Sequence, residues 1–336
     1  MTATGRGLFS AETLGDLVPW SCASLAIAAG LALGSAQTNG VQLWPWLVSI
    51  ALFGLPHGAC DHLVAARIGG DYRSERTTIA TAFFPLYLAG GGAMMLLWIA
   101  SPAVALGLFL GLTAWHWGSA DAAAYREGLA AFVLRSAGRG LLVVSAPLAF
   151  HPGRSWEALS SLLEIFGPAT VAQTPSWLPS LTVGGLVLGL MLECLLVARD
   201  AWRLQRRRAA RESVELVLLL VLFYLVSPVA AVGVYFVAWH AWRHTLRTGA
   251  LLDPEKVGRL PALVAAYHGR ALPLTLASVV ALAALTLAVG WESPQKLTAV
   301  YLVLLSALTV PHSVVVSAWD YRSRLARYRS GPLGVR

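Results

Sequence analysis

The sequence predicts an all-α fold: a polytopic membrane helix bundle of about ten transmembrane segments, with both termini cytoplasmic. Three observations predict it. Of the 336 residues, 57% are hydrophobic and only 12% charged, against about a quarter charged in soluble domains, and the mean hydropathy is +0.65. Apolar runs of about 20 residues, enough to cross a bilayer, recur along the whole chain. Basic residues gather in alternate loops.

The runs fall near 17–36, 43–66, 77–100, 102–125, 129–150, 180–198, 213–226, 229–247, 271–289 and 297–319. The first follows a polar lead, MTATGRGLFSAETLGD, without a basic start or a nearby small-residue cleavage site, so it reads as a span and not a signal peptide. Ser227-Pro228 divides the seventh run from the eighth. Proline removes a backbone donor and disfavours helix at the residue before it, so the two runs form either a tight hairpin or one broken helix, and the hairpin is preferred because the charge count then works. Residues 151–179 make the longest outer loop, with an amphipathic segment around SWEALSSLLEIF. There is no internal repeat, and residues 1–336 are expected to form one integral membrane domain.

With the N-terminus inside, the loops after even-numbered spans hold Arg67, Arg73, Arg76, Arg126 and the run RDAWRLQRRRAAR at 199–211. Arg243, Arg247, Lys256, Arg259, Arg270 and the tail YRSRLARYRS follow, while the opposite side holds Arg154 and Lys296. Retention of Lys and Arg on the cytoplasmic side sets orientation. The net charge of +8 therefore reflects basic loops and not a nucleic-acid partner, and a multi-pass protein of the inner (plasma) membrane, in contact with lipid, is expected. Arg135 and Arg139 are expected to snorkel from the inner end of span five. The RRR run reads as a solvated loop with affinity for anionic lipid. Cys22, Cys60 and Cys194 lie in apolar runs and read as small buried hydrophobes.

Topology sorts the eight histidines. His57 and His62 lie in span two, His116 in span four, His240 and His244 in span eight, and His312 in span ten. All are in the second half of an outside-to-inside span, so they converge at one depth. His151 and His268 fall elsewhere and read as interfacial. Polar side chains in lipid are costly and face the bundle interior, where they pair or bind something. His240 and His244, four apart, share a helix face at about 40°, which makes a chelating pair. His57 and Asp61 share a face by the same arithmetic while His62 points away, so Asp61 is expected to orient the His57 ring or offset a cation. For His62 and His312 a hydrogen-bond strut between helices is the competing role. Gly54, Gly58 and Gly118 are expected to allow close helix approach.

An all-imidazole set suits zinc, copper or iron, and Asp61 as a base would also permit zinc hydrolysis. Aromatic residues crowd the motifs: Trp115 and Trp117 beside His116, and Tyr235, Phe236 and Trp239 before His240. They suit a long, flat, apolar substrate entering from lipid, whereas Trp242 and Trp319 fit an interfacial aromatic belt equally well. An apolar substrate, an O2-permeable membrane and neutral ligands lean toward non-haem iron and O2.

The stretches PHGACDH, WHWG, YFVAWHAWRH and VPHSVVVSAWD, in this order over most of the chain, resemble the Brp/Blh family of membrane β-carotene 15,15′-dioxygenases. The resemblance implies a multi-helix membrane enzyme that uses Fe2+ and O2 to split β-carotene at its central double bond, giving two molecules of all-trans-retinal. It implies His57, His116, His240 and His244 as iron ligands and catalytic residues. Asp61, His62 and His312 take supporting positions, and Trp115, Trp117, Tyr235, Phe236 and Trp239 line the substrate path. Another carotenoid or an apocarotenoid is the alternative substrate. The rival classes are a haem-binding membrane redox protein, a metal or proton transporter, for which repeated halves are wanting, and a di-iron lipid desaturase or hydroxylase, for which only one HxxxH pair is present.

Overall fold

The computed structural model describes residues 11–34, 39–69, 82–125, 127–167, 173–290 and 292–329. Arg73, Arg76, Arg126 and the start of the 77–100 segment lie outside them. Among the described residues every regular element is a helix. In chain order these are α1 (Ala11–Leu33), α2 (Trp44–Gly69, in several pieces), α3 (Phe84–Ala100), α4 (Pro102–Ala122), α5 (Leu129–Phe150) and α6 (Pro152–Glu164). The second half has α7 (Leu178–Trp202), α8 (Arg206–Leu225), α9 (Pro228–Val234), a π-helical segment Tyr235–Ala241, α10 (Trp242–Leu252), α11 (Leu260–Val289) and α12 (Pro294–Arg329).

Among the described residues, seven helices are long and apolar enough to cross a membrane, namely those of α1, α2, α4, α5, α7, α11 and α12. The other three stretches expected to cross fall outside that group, for reasons of length and charge. Helix α3 has only 17 residues, α8 opens with Arg206, Arg207 and Arg208 and carries Glu212 and Glu215, and the 228–252 stretch is broken into three pieces. Helix α11 begins eleven residues before the expected 271–289 span, which puts His268 inside a helix that can cross the membrane. The outer segment around SWEALSSLLEIF folds as α6.

The break at Ser227-Pro228 is a hairpin. Val226 and Ser227 are extended, with ψ of 145° and 140°, and residues on either side come back together. Phe223 and Tyr235 have ring centroids 6.5 Å apart, and Glu215 pairs with Arg243. A continuous helix would hold that second pair, 28 residues apart, about 42 Å from each other.

Small residues bring α4 and α5 into backbone contact. A Cβ on Gly118 would overlap the Ser136 carbonyl, and one on Gly140 would overlap that of Ala114. Gly54 is likewise pressed against Ser49 and Tyr301, whereas the nearest neighbour of a Cβ on Gly58 would be His312 Nδ1 at 3.5 Å, an ordinary contact. The main core joins Trp46 of α2, Trp117 of α4, Leu142 of α5, Leu219 and Phe223 of α8, the aromatic residues of 235–239 and Tyr301 of α12. Cys60 is buried as expected, but Cys22 is half-buried and Cys194 is exposed on α7, on a face turned away from the bundle.

Arg135 and Arg139 do not snorkel. They are 1% and 3% exposed, because the α5 face that carries them packs onto α7 and α8. Arg135 meets Glu127 at 3.2 Å, Asp200 at 3.0 Å and Glu212 at 3.2 Å. Arg139 meets Glu212 at 3.1 Å, Glu215 at 3.2 Å, Glu193 at 3.5 Å and Asp121 at 3.8 Å. The RRR run is only partly a solvated loop. Arg206 and Arg207 are exposed, while Arg208 pairs with Glu127 and with Asp200 at 2.8 Å. Charges inside a bundle persist when they are paired and hydrogen-bonded.

Glu127 sits in the connection between α4 and α5. Burial opposes its ionised form, but hydrogen bonds from Arg135 and Arg199 and the nearby Arg208 outweigh it and bring the carboxyl down to about 2.

Candidate metal centre

Helix α2 reaches the centre in pieces, and its sequence explains why. Pro56 has no N–H for the Leu52 carbonyl four residues back; His268 Nε2 donates to that carbonyl at 2.7 Å. Ahead of it, Ser49–Phe53 is a π-helical turn. Tyr267 Oη donates to the Pro56 carbonyl at 2.7 Å, so α11 braces the turn that carries His57. A turn at Ala59 and Cys60 then separates Gly54–Gly58 from Asp61–Gly69. His240 lies in the second π-helical segment, Tyr235–Ala241. Wide turns of this kind are uncommon and gather at functional sites.

Five imidazoles from four separated stretches of chain meet here. Ring centroids lie 4.7 Å apart for His57 and His312, 4.7 Å for His116 and His240, 4.8 Å for His116 and His312, and 5.4 Å for His57 and His240. His57, His116, His240 and His312 each offer one nitrogen, and these four atoms lie within 4.8 Å of one another. His244 joins a second such group with Asp61 and His312; its ring is 5.1 Å from His312 and 5.6 Å from His57. The His240 and His244 rings lie nearly parallel, 6.5 Å apart. All five residues are buried.

Hydrogen bonds fix which nitrogen faces inward. His57 Nδ1–H donates to the Gly54 carbonyl, leaving Nε2 with its lone pair. His312 Nδ1–H donates to Asp61, 2.8 and 2.9 Å from the two oxygens, and Tyr87 Oη donates to the same carboxylate at 2.9 Å. Asp61 therefore orients His312, not His57 as the helical spacing suggested. The turn at Ala59 and Cys60 is the reason, since it breaks the four-residue register between His57 and Asp61. His244 Nε2 is 3.1 Å from Thr248 Oγ1.

Against these bonds stand nitrogens with none. His116 Nε2, His312 Nε2 and both nitrogens of His240 are buried and make no hydrogen bond. Buried polar atoms are nearly always paired, and unpaired nitrogens on three rings, those of His116, His240 and His312, gathered with a His57 nitrogen within 4.8 Å of one another, fit a bound cation. The neutral ring supplies a lone pair, and the Asp61–His312 contact is the carboxylate–histidine arrangement that orients metal ligands.

A cavity of about 580 Å³ ends at this cluster, with His57, His116 and His240 in its wall. Trp117 and Phe236 line it, stacked on each other at 5.6 Å. Trp115, Tyr235 and Trp239, expected along the substrate path, are not in that wall. Trp115 is 40% exposed, with its ring edge-on to Phe132. Tyr235 and Trp239 stack together beside the Phe236–His240 stack of the same segment, and Tyr235 donates to Asp121 at 3.0 Å. His62 stands apart from the five, beside Phe84 at 5.8 Å. His151 is bonded within the bundle, its Nε2 3.1 Å from the carbonyls of Phe223 and Tyr224 at the end of α8. Trp319 is buried, not interfacial, with the Arg247 guanidinium 3.8 Å above its ring.

Sequence reasoning missed Tyr87, a tyrosine in the apolar run FPLYLAGG whose one signal was a phenol that must find a partner when buried. It also missed Thr248 and Ser306; the latter accepts from Trp98 Nε1 at 2.7 Å.

Fold and site together define a helical membrane protein with a buried, imidazole-rich cluster that could hold a metal at the end of a long cavity. The family model described as beta-carotene 15,15′-dioxygenase matches residues 48–320, and the chain belongs to that family, the carotenoid-cleaving dioxygenases. The probable beta-carotene 15,15′-dioxygenase Blh of Halobacterium salinarum is 29% identical, covering 95% of each chain. The probable beta-carotene 15,15′-dioxygenase Brp of the same organism is 28% identical, covering 89% of each. No solved structure matches the chain.

Proposed function

We propose that this chain cleaves the central 15,15′ double bond of β-carotene at the histidine cluster, with Fe2+ as the resident metal and two molecules of all-trans-retinal as product. The observation that carries this reading is the convergence of unpaired buried nitrogens on His116, His240 and His312 beside the His57 Nε2 lone pair. These four residues would hold the ion. His244, given that role by its spacing and by family resemblance, stands one ring behind them with Nε2 against Thr248. Imidazole alone accommodates zinc, copper or iron; membership of a dioxygenase family favours iron. When bound, the ion supplies a site for O2 and the electrons that activate it.

The chain's own residues account for the rest. Asp61, held by Tyr87, keeps the His312 proton on Nδ1 and its lone pair directed at the cluster. The apolar wall, with Trp117 and Phe236 nearest the histidines, accepts a flat polyene and excludes water from the reacting carbons. One C=C bond and one O2 become two C=O groups, so atoms and electrons balance without an external reductant.

The reading keeps ten crossings, with α3, α8 and the α9–α10 stretch completing the seven, and with both termini on the cytoplasmic side of the plasma membrane. Exposed Arg203 after α7 and exposed Arg206 and Arg207 at the start of α8 support that orientation. Expression in a β-carotene-producing bacterium tests the activity. Loss of orange colour with retinal appearing is expected for the wild type and not for His116→Ala. Unchanged pigment in cells that contain iron-loaded wild-type protein would overturn the proposal.

A further inference from the structure

His57 is carried differently from its partners in the cluster. His116 and His312 sit within continuous helices of 21 and 36 residues, where the turns before and after each ring hold it in place. His57 rides on Gly54–Gly58, a five-residue piece between the π-helical turn Ser49–Phe53 and the turn at Ala59 and Cys60. The backbone leaves helical geometry at Phe53, with φ of −128°. So short a helix has no cooperative stability of its own, and a ring mounted on it is placed only as well as its neighbours place the backbone.

Two adjacent residues of α11 do that placing. His268 Nε2 donates at 2.7 Å to the Leu52 carbonyl, which Pro56 deprives of its helical partner, and Tyr267 Oη donates at 2.7 Å to the carbonyl of Pro56 itself. The bonds grip the chain four residues apart, on either side of Phe53 and Gly54. The grip is itself fixed: the His268 ring stands edge-on to Phe53 at 5.9 Å and to Tyr267 at 5.5 Å, with Nδ1 2.9 Å from the Val264 carbonyl one turn back. Tyr267 is fully buried and packs with Ala271 against Ala59 and Cys60. From α12, the Tyr301 hydroxyl meets that of Ser49 at 2.7 Å. Between these anchors the Gly54 carbonyl accepts from His57 Nδ1–H, so any shift of the anchored backbone moves the ring with it. Among the described residues, no side chain of α11 lines the cavity or belongs to a group of candidate ligands.

We infer that Tyr267 and His268 are positioning residues of the metal centre: by holding Leu52 and Pro56 they set where the free His57 nitrogen lies, and α11 takes part without touching ion or substrate. This rests on the reading of the cluster as a metal centre and adds to it a pair of residues outside the ligands.

The test is metal binding by the full-length protein in detergent, with Co2+ as the probe, since nitrogen sites accept it in the same series as iron and its visible bands change with the number and placement of ligands. His268→Gln keeps an N–H donor near the position of Nε2, whereas His268→Asn keeps one only near that of Nδ1. The asparagine variant is expected to bind Co2+ about 10- to 100-fold more weakly than wild type, the usual cost of losing an orienting partner, with altered visible bands. The glutamine variant is expected to recover most of both. Tyr267→Phe, which removes one hydroxyl and leaves the ring, is expected to bind about tenfold more weakly than wild type, and it decides the matter by the same two readouts if the asparagine variant does not fold. Wild-type affinity and an unchanged spectrum in the asparagine and phenylalanine variants would overturn the inference, as would equal weakening by asparagine and glutamine. A wild type that binds no Co2+ and no Fe2+ would instead overturn the metal-centre reading, and the inference with it.

Discussion

Arg139 and His240 are almost equally buried, 3% and 2% exposed, yet their surroundings differ in kind. Around Arg139 every charge has an opposite within reach: Glu193, Glu212, Glu215 and Asp121 surround its guanidinium, and Arg243 reaches Glu215 and Asp121 from the next helix. Around His240 there are four other imidazoles and two aromatic rings, Phe236 stacked at 5.9 Å and Trp117 at 5.7 Å, and neither ring nitrogen is bonded. The first assembly neutralises itself and ties α4, α5, α7, α8 and α10 together. The second leaves imidazole nitrogens unpaired and could hold a cation. One segment serves both, since Tyr235 of 235–241 reaches Asp121 while His240 of the same segment enters the cluster. Burial of polar groups is thus a poor guide to function by itself, and so is a missing hydrogen bond, since both Glu193 oxygens are buried without one; the kind of neighbour, opposite charges around Arg139 and like imidazoles around His240, is a better one.

The comparison can be broken most sharply at His240. His240→Ala is expected to reduce bound iron and retinal formation to background. The apo variant should melt no lower than apo wild type, because the change removes two unpaired buried nitrogens. Iron assay and detergent melting curves check this, and a large loss of apo stability would mean the cluster is structural after all. Next in size is Arg139→Ala, which strands several buried carboxylates and should cost about 3–5 kcal/mol of stability. Protein that remains folded should keep its iron stoichiometry; parallel loss of iron would join the two assemblies into one.

A smaller effect is expected at the carboxylate that belongs to the cluster. Asp61→Asn should weaken iron affinity by about 10- to 100-fold, the usual cost of losing an orienting partner, and Tyr87→Phe should weaken it less. Competition with a chelator of known affinity measures both. The smallest effect concerns pH. Glu127 titrates near 2 in the folded protein against an ordinary 4.5. Its depressed value means that its stabilisation is fully present above the unfolded value and is lost as pH falls from there through about 2. Melting temperatures between pH 7 and 5 should therefore be alike for wild type and Glu127→Gln in their pH slope, and diverge only at lower pH.

Much of the centre was legible in the sequence because the cost of polar groups in lipid is a strong constraint. Histidines from four spans at one depth identified His57, His116, His240 and His244, and three of these fall in the tightest group of nitrogens. His312 was harder to rank, since a lone histidine in a helix gives no sign of the direction its ring takes. What reveals it is Asp61, 251 residues away in the chain. The helical arithmetic that linked Asp61 to His57 assumed an unbroken helix, which Pro56 and the turn after Gly58 do not allow. The ion network escaped for a similar reason. Arg139 lies midway along the apolar run 129–150, and its partners Glu212 and Glu215 are 73 and 76 residues further on. Span counting by hydropathy located the helices well but could not recognise that the charges of α8 are met by partners on α5, α7 and α10.

The two π-helical turns at Ser49–Phe53 and Tyr235–Ala241 carry a consequence for comparing relatives. Each inserts a phase slip into its helix just where the ligands begin, so side-chain direction downstream depends on one surplus residue. A relative that lost that residue would keep its histidines in the alignment column while turning them by roughly a quarter of a revolution. Motif identity alone would then overstate kinship in chemistry; the register of the backbone ahead of PHG and WHAWRH is the more telling inheritance.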